Sequence, residues 1–140
     1  MKRIVLSISA FAILGLAAAP NLRAHGLHCS NATLSGTYSA TITGTLGGAP
    51  FAELDLVTST GDGTFSGTGT VSENGTISAD VPVSATYTIN SNCSGSAVLS
   101  SGVTQNFNIS ADGSEVDIIA TTSGATITAV AKRLNSQNQN

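Results

Sequence analysis

Residues Thr76 to Asn90 read TISADVPVSATYTIN, and the reading of this stretch decides the fold. Ile77, Ala79, Val81, Val83, Ala85, Tyr87 and Ile89 are apolar at every second position, with polar residues or proline between them. A period of two sends successive side chains to opposite faces of a strand, whereas on a helix it would scatter them around the turn. The stretch therefore predicts a half-buried β-strand. At ~3.3 Å per residue it would extend for about 50 Å, against about 17–20 Å for an ordinary strand. Pro82 cannot donate to a ladder, so a bend or a change of pairing partner is expected there. The inward parity is expected to continue across it, without a one-residue slip.

Working outward, Asn74-Gly75 just upstream is the favoured pair for a type I′ hairpin turn. Before it, residues 64–72 place Phe65, Gly67, Gly69 and Val71 on one face, and Gly61-Asp62-Gly63 forms a turn. Residues 51–60 predict a strand with Ala52, Leu54 and Leu56 inward and Glu53 and Asp55 outward. Gly47, Gly48 and Pro50 break the chain. The first strand starts near Leu34, with Tyr38, Ala40 and Ile42 sharing its face.

Downstream, four short strands follow. Ala97 and Leu99, then Phe107 and Ile109, then Val116, Ile118 and Ala120, then Ile127, Ala129 and Ala131 are their inward sets. Asp112-Gly113 and Ser123-Gly124 supply turns. The total is eight strands, or nine if the long one divides. Short links make sequence neighbours into spatial neighbours. The expected class is all-β: an antiparallel meander closed as a small up-and-down β-barrel, with a two-sheet β-sandwich as the alternative. Small inward residues such as Gly67, Gly69, Ala97 and Ala129 suit a tight interior.

The N-terminus carries a different pattern. Lys2 and Arg3 precede an apolar run from residue 4 to 19, broken only by Ser7, Ser9 and Gly15. Residues 1–24 read as a secretory signal peptide cleaved after Ala24, and the run is short for a spanning helix of ~20 residues. Residues 25–134 form a single β domain, and residues 135–140, NSQNQN, a disordered polar tail. Cleavage removes Lys2, Arg3 and Arg23. Only Lys132 and Arg133 then stand against eight acidic residues, so the mature chain is acidic. Nothing basic is left to neutralise phosphates, which argues against a nucleic-acid partner. The mature form is expected to have no membrane span. Aromatics at 4% are too few for the two girdles of a transmembrane barrel.

Cys29 and Cys93, two cysteines in an exported chain, read as one disulfide. It would close a loop of about 65 residues, worth roughly 4 kcal/mol on the chain-entropy estimate. The compartment is periplasmic or extracellular.

Chemistry is sparse. Cleavage after Ala24 would make His25 the N-terminal residue, and an α-amine with an imidazole can chelate copper. His28 lies only three positions on and no further histidine exists, so neither a metal site nor a cofactor is expected. No catalytic residue is assigned: serines abound without a histidine base or a G-x-S-x-G elbow. The pairs Glu53/Asp55 and Glu115/Asp117 read as solvated outward faces. Asp62 and Asp112 are explained by their turns. The Ser/Thr rows, Thr37 to Thr45 and Thr64 to Ser72 at alternate positions, read as uncharged solubilising faces. Asn31, Asn74, Asn92 and Asn108 match N-x-[ST], but the signal peptide looks bacterial, so glycosylation there is not expected.

The order Cys29…Leu34-Ser-Gly-Thr-Tyr38, Gly61-Asp-Gly63, Asn74-Gly75, Ala85-Thr-Tyr87 and Cys93-Ser-Gly95 resembles a group of small exported bacterial β proteins of unassigned function. The likeness implies a fold more than a chemistry, and it carries over no catalytic residue. Two functions remain as expectations. One is a non-catalytic module of the periplasm or cell surface that contacts an unknown protein or serves in the envelope. The other is a carrier of a small apolar ligand in the barrel interior, which a continuous cavity opening near Tyr38 or Tyr87 would support and a filled interior would overturn; Tyr38, Phe65, Tyr87 and Phe107 read first as the core's large residues and second as the lining of such a pocket.

Overall fold

The computed structural model describes residues 28–135; residues 1–24 with their cleavage at Ala24, the His25 copper alternative and the tail beyond Asn135 lie outside them. A short 3₁₀ turn, Asn31–Thr33, is followed by eight strands. They are β1 (Ser35–Leu46), β2 (Ala49–Thr60), β3 (Thr64–Glu73), β4 (Thr76–Ile89), β5 (Ser94–Leu99), β6 (Thr104–Ile109), β7 (Glu115–Ala120) and β8 (Ala125–Arg133). Each pairs antiparallel with the next and β8 returns to β1, closing an up-and-down barrel. No helix among the described residues is long and apolar enough to cross a membrane.

The interior follows the alternation on most strands. Tyr38, Ala40 and Ile42 of β1, Phe107 and Ile109 of β6, and Ile127, Ala129 and Ala131 of β8 are all buried. Eight strands leave a lumen just wide enough for side chains to fill or for one small ligand.

Two departures from the expected faces matter. The first is β2, whose faces are the reverse of the sequence reading. Asp55, Val57 and Ser59 are buried, while Leu54 and Leu56 stand outside, 57% and 52% exposed. The cause is the turn before it. Leu46 pairs with Ala49 across Gly47-Gly48, both with positive φ as a two-residue I′-type turn demands. From that closure the register is forced: Ile42 opposes Glu53, Ala40 opposes Asp55 and Tyr38 opposes Val57. Directly opposed residues share a face. The inward face of β1 thus carries Glu53 and Asp55 inside with it, and the hydrophobicity of Leu54 and Leu56 does not overcome the turn.

The second departure is in β4. The strand does not divide, and inward parity runs unbroken from Val81 across Pro82 to Ile89. The slip lies upstream of Pro82. Gly69 opposes Val81 but Val71 opposes Ser78, so β4 has one residue more than β3 over that interval. This is a β-bulge at Ala79-Asp80, and Asp80 takes a positive φ of 56°. Upstream of it the parity is reversed, so Ile77 faces outward, 71% exposed.

The two ends of the barrel differ. At one end the β2–β3, β4–β5 and β6–β7 loops repeat a single device. Asp62 Oδ1 accepts from Thr64 N, Asn92 Oδ1 from Ser94 N and Asp112 Oδ1 from Ser114 N, at 2.9, 3.1 and 3.0 Å. In each, the residue between donor and acceptor is left-handed: Gly63, Cys93 and Gly113. The 3₁₀ turn seats on these three middle residues. Asn31 lies against Gly63 and the Thr33 carbonyl against Gly113. Cys29 joins Cys93 in a disulfide with Cα atoms 5.0 Å apart.

Below this plug the Tyr87 hydroxyl lies 2.8 Å from Ser59 Oγ and 3.1 Å from the Asn31 carbonyl. The Tyr38 hydroxyl donates to the Gly113 carbonyl at 2.7 Å, with Arg133 Nε donating to the same oxygen at 3.1 Å. These bonds close this end, so the opening near Tyr38 or Tyr87 that would favour an interior carrier is not there. The two tyrosines are instead the roof timbers of the plug.

Candidate functional site

The other end is a slanted mouth. Strands β1, β2 and β4 have 12, 12 and 14 residues, whereas β5, β6 and β7 have six each. The ladder from β4 to β5 begins only at Ala85, with one further bond from Ser100 N to the Ser84 carbonyl. Thr76 to Val83 therefore pair with β3 alone and form a rim that is exposed from Thr76 to Asp80. Pro82 and the Asp80 bulge blunt that rim as an edge for strand pairing.

Inside the step between tall and low walls lies a cup of about 240 Å³, lined among others by Phe51, Glu53, Asp55, Val81, Gln105 and Ile127. Deeper in the lumen is a cavity of about 70 Å³ between Tyr38, Val57, Phe65, Tyr87 and Phe107. Asp55 and Gln105 border both spaces. The deep cavity is smaller than the roughly 150 Å³ that accepts benzene in an engineered core. The four aromatics thus pack the lumen, and the cup is the part with room for a guest.

Asp55 is the unusual residue of this wall. Its side chain is buried, with the residue 8% exposed, and no protein donor reaches its Oδ1. A carboxyl in such a place raises its pKa, because burial penalises the charged form. Burial, then the negative field of Glu53, then a hydrogen bond with the Glu53 side chain push Asp55 up to about 7. Glu53, half-buried, is also raised, chiefly by burial. The two carboxyls interact and titrate as a pair. No compensating cation faces them. Lys132 and Arg133, the basic residues among those described, are at the closed end of β8, where Lys132 pairs with Glu115 at 3.4 Å.

The space for the Asp55 carboxyl comes from β3. Gly69 opposes Asp55 directly, and a Cβ there would collide with Asp55 Oδ1. The small residues of β3 read in the sequence as filling a tight interior thus have a more specific task here. Of the other candidates, Glu115 and Asp117 do lie on an outward face and Asp62 and Asp112 in their turns. Asn31, a glycosylation match in sequence, uses its Oδ1 to accept from Ile89 N at 2.9 Å. Glu53 and Asp55, read as solvated, are the correction. Counting residues across the Gly47-Gly48 turn was the signal that could have found them.

An interacting carboxyl pair of this kind can accept a strong hydrogen-bond donor. It does not match glycoside hydrolysis, in which the two carboxyls stand at least about 5 Å apart to flank a sugar bond. Among the described residues no three His, Cys, Asp or Glu side chains converge on a common point. No protein family, characterised protein or solved structure matches this chain.

Proposed function

We propose that the chain is an exported, non-catalytic β-barrel that binds a small, largely apolar ligand at its open end. The observation that carries this reading is the cup itself: apolar walls from Phe51, Val81 and Ile127 with the Glu53 and Asp55 carboxyls and the Gln105 amide as its few polar groups. Ligand sites are concave and mostly apolar, with a few placed polar groups, and the mouth of a β-barrel is a common place for them. The cup is below the ~300 Å³ of ordinary ligand pockets, so the guest is small. The disulfide suits an oxidising compartment. The signal-like N-terminus and the likeness to small exported bacterial β proteins support export. The test is titration with propylbenzene, followed by methyl NMR. Shifts confined to Val81, Val83 and Ile127 support a guest in the cup; unchanged methyls up to the solubility limit contradict it.

A second reading, a module that contacts another protein, has its own support outside the barrel. Leu54 and Val130 flank Thr41 on adjacent strands, with Leu56 one step along β2, and all three leucine and valine side chains are exposed. Crosslinking in the native envelope that disappears in Leu54→Thr/Leu56→Thr supports this reading, and identical adducts in wild type and variant contradict it.

A further inference from the structure

Resting on the ligand-binding reading, we infer that the cup and the deep cavity are the two ends of one pocket, and that its guest is a short unbranched aliphatic chain with a neutral polar head. The head stays in the cup and the chain end enters the cavity. Five side chains border both spaces: Ile42 of β1, Asp55 of β2, Val83 of β4, Leu99 of β5 and Gln105 of β6. Coming from five strands around the lumen, they form a collar across it rather than a patch on one wall. On β7 and β8 the collar is completed by single methyls, with Ala120 opposing Gln105 and Ala129 opposing Ile42.

The sizes and linings of the two ends set the shape of the guest. The deep cavity, about 70 Å³, is too small for an aromatic ring. It has room for two or three methylenes, each about the size of a water molecule at ~30 Å³. Its walls beyond the collar include the rings of Phe65 and Phe107 with Val57, Ala97 and Val116. The hydroxyls at its roof are already bonded, Tyr38 to the Gly113 carbonyl and Tyr87 to Ser59. Such walls reward the burial of a hydrocarbon and offer nothing to a polar group. The cup, about 240 Å³ with Ser84, Ser100 and Ser101 in its lining, takes the rest of the chain and its head. Together the two spaces reach the ~300 Å³ at which ordinary ligand pockets begin, which neither does alone. A branched end fits the cup and stops at the collar, so the collar selects straight chains over branched isomers.

The test uses the mature, oxidised chain with n-hexanol and its isomer neohexyl alcohol, whose chain ends in a tert-butyl group, and with propylbenzene as the probe of the cup. Binding is read by calorimetry and methyl NMR. The expected result is n-hexanol binding at least about tenfold tighter than its isomer, the gain from two buried methylenes at about fourfold each. n-Hexanol should shift the methyls of Val57 and Val116, which line the deep cavity alone, together with Val81 and Ile127, which line the cup alone. The branched isomer should shift only the second pair. Ala97→Leu fills the cavity and should bring n-hexanol down to the level of its isomer; undiminished affinity overturns the inference. Leu99→Ala opens the collar and is the second variant should Ala97→Leu alter the fold. New shifts at Val57 and Val116 with the branched isomer then support the inference, and its continued exclusion overturns it. Equal binding of the two alcohols, both confined to the cup methyls, overturns the inference and leaves the ligand-binding reading intact. Silence from both alcohols while propylbenzene binds does the same, and silence from all three overturns both.

Discussion

Asp55 and Gly69 oppose each other across the β2–β3 ladder, and the side chain that Gly69 lacks is the space that the Asp55 carboxyl occupies. The acid is therefore held inside the barrel by its neighbour's smallness as much as by its own strand. Gly69→Ala should destabilise the protein by about 1–3 kcal/mol, the usual cost of overfilling a packed interior. In an Asp55→Ala background the same change should cost far less, because the colliding atom is gone. Urea denaturation of the four proteins in a double-mutant cycle measures that coupling.

The pH dependence of stability should carry the mark of Asp55. Its folded pKa, about 7, lies above its ordinary 3.8. Between those values the folded state binds more protons than the unfolded one, so stability falls as pH rises. The loss should be on the order of 1–2 kcal/mol after allowing for solvent near the mouth. Asp55→Asn should be more stable than wild type at about pH 8 and indistinguishable at about pH 4. Chemical denaturation at the two pH values checks this. A variant less stable at both would contradict it.

Asp112 should act in the opposite direction and at lower pH. Bonds from the Ser114 backbone and side chain, then from Ser110, hold its pKa at about 2, below the ordinary 3.8. A depressed carboxyl contributes stability above its unfolded pKa and loses it as pH falls through the folded value. Acid unfolding between about pH 4 and pH 2 should therefore be shallower in Asp112→Asn than in wild type, as followed by far-ultraviolet circular dichroism.

How far the sequence led is clearest on β2 and β4. Strand existence, strand order and most inward faces were legible, because alternation and Asn-Gly or Asp-Gly turns are local signals. On β2 the two faces carry Phe51, Glu53, Asp55, Val57 and Ser59 against Ala52, Leu54 and Leu56. Local hydrophobicity favours the second set; the register set by a two-residue turn imposes the first. On β4 the bulge needed a partner strand to be visible, since Ile77 and Ala79 keep perfect alternation in the sequence. The candidate site was missed for the same reason. Its identity depends on which way β2 is turned, and that is settled by pairing.

The plug should carry much of the stability of the closed end. Tyr87→Phe removes a buried hydroxyl shared by Ser59 and the Asn31 and Leu34 carbonyls, at 2.8, 3.1 and 3.3 Å. The expected loss is about 1–3 kcal/mol, because acceptors are left buried without a donor. Reducing Cys29–Cys93, a bridge across 64 positions, should cost roughly 4 kcal/mol. Thermal unfolding with and without reductant reads both effects.

The inward setting of the Glu53–Asp55 pair underlies both the polar part of the mouth and the pH profile. Site-resolved carbon-13 NMR titration of the Asp55 side-chain carboxyl tests it most directly. A midpoint near pH 7 that shifts when Glu53 is changed to Gln is the predicted result. A midpoint near pH 4, insensitive to Glu53, is that of a solvated carboxylate on the outside of the barrel and would contradict the account.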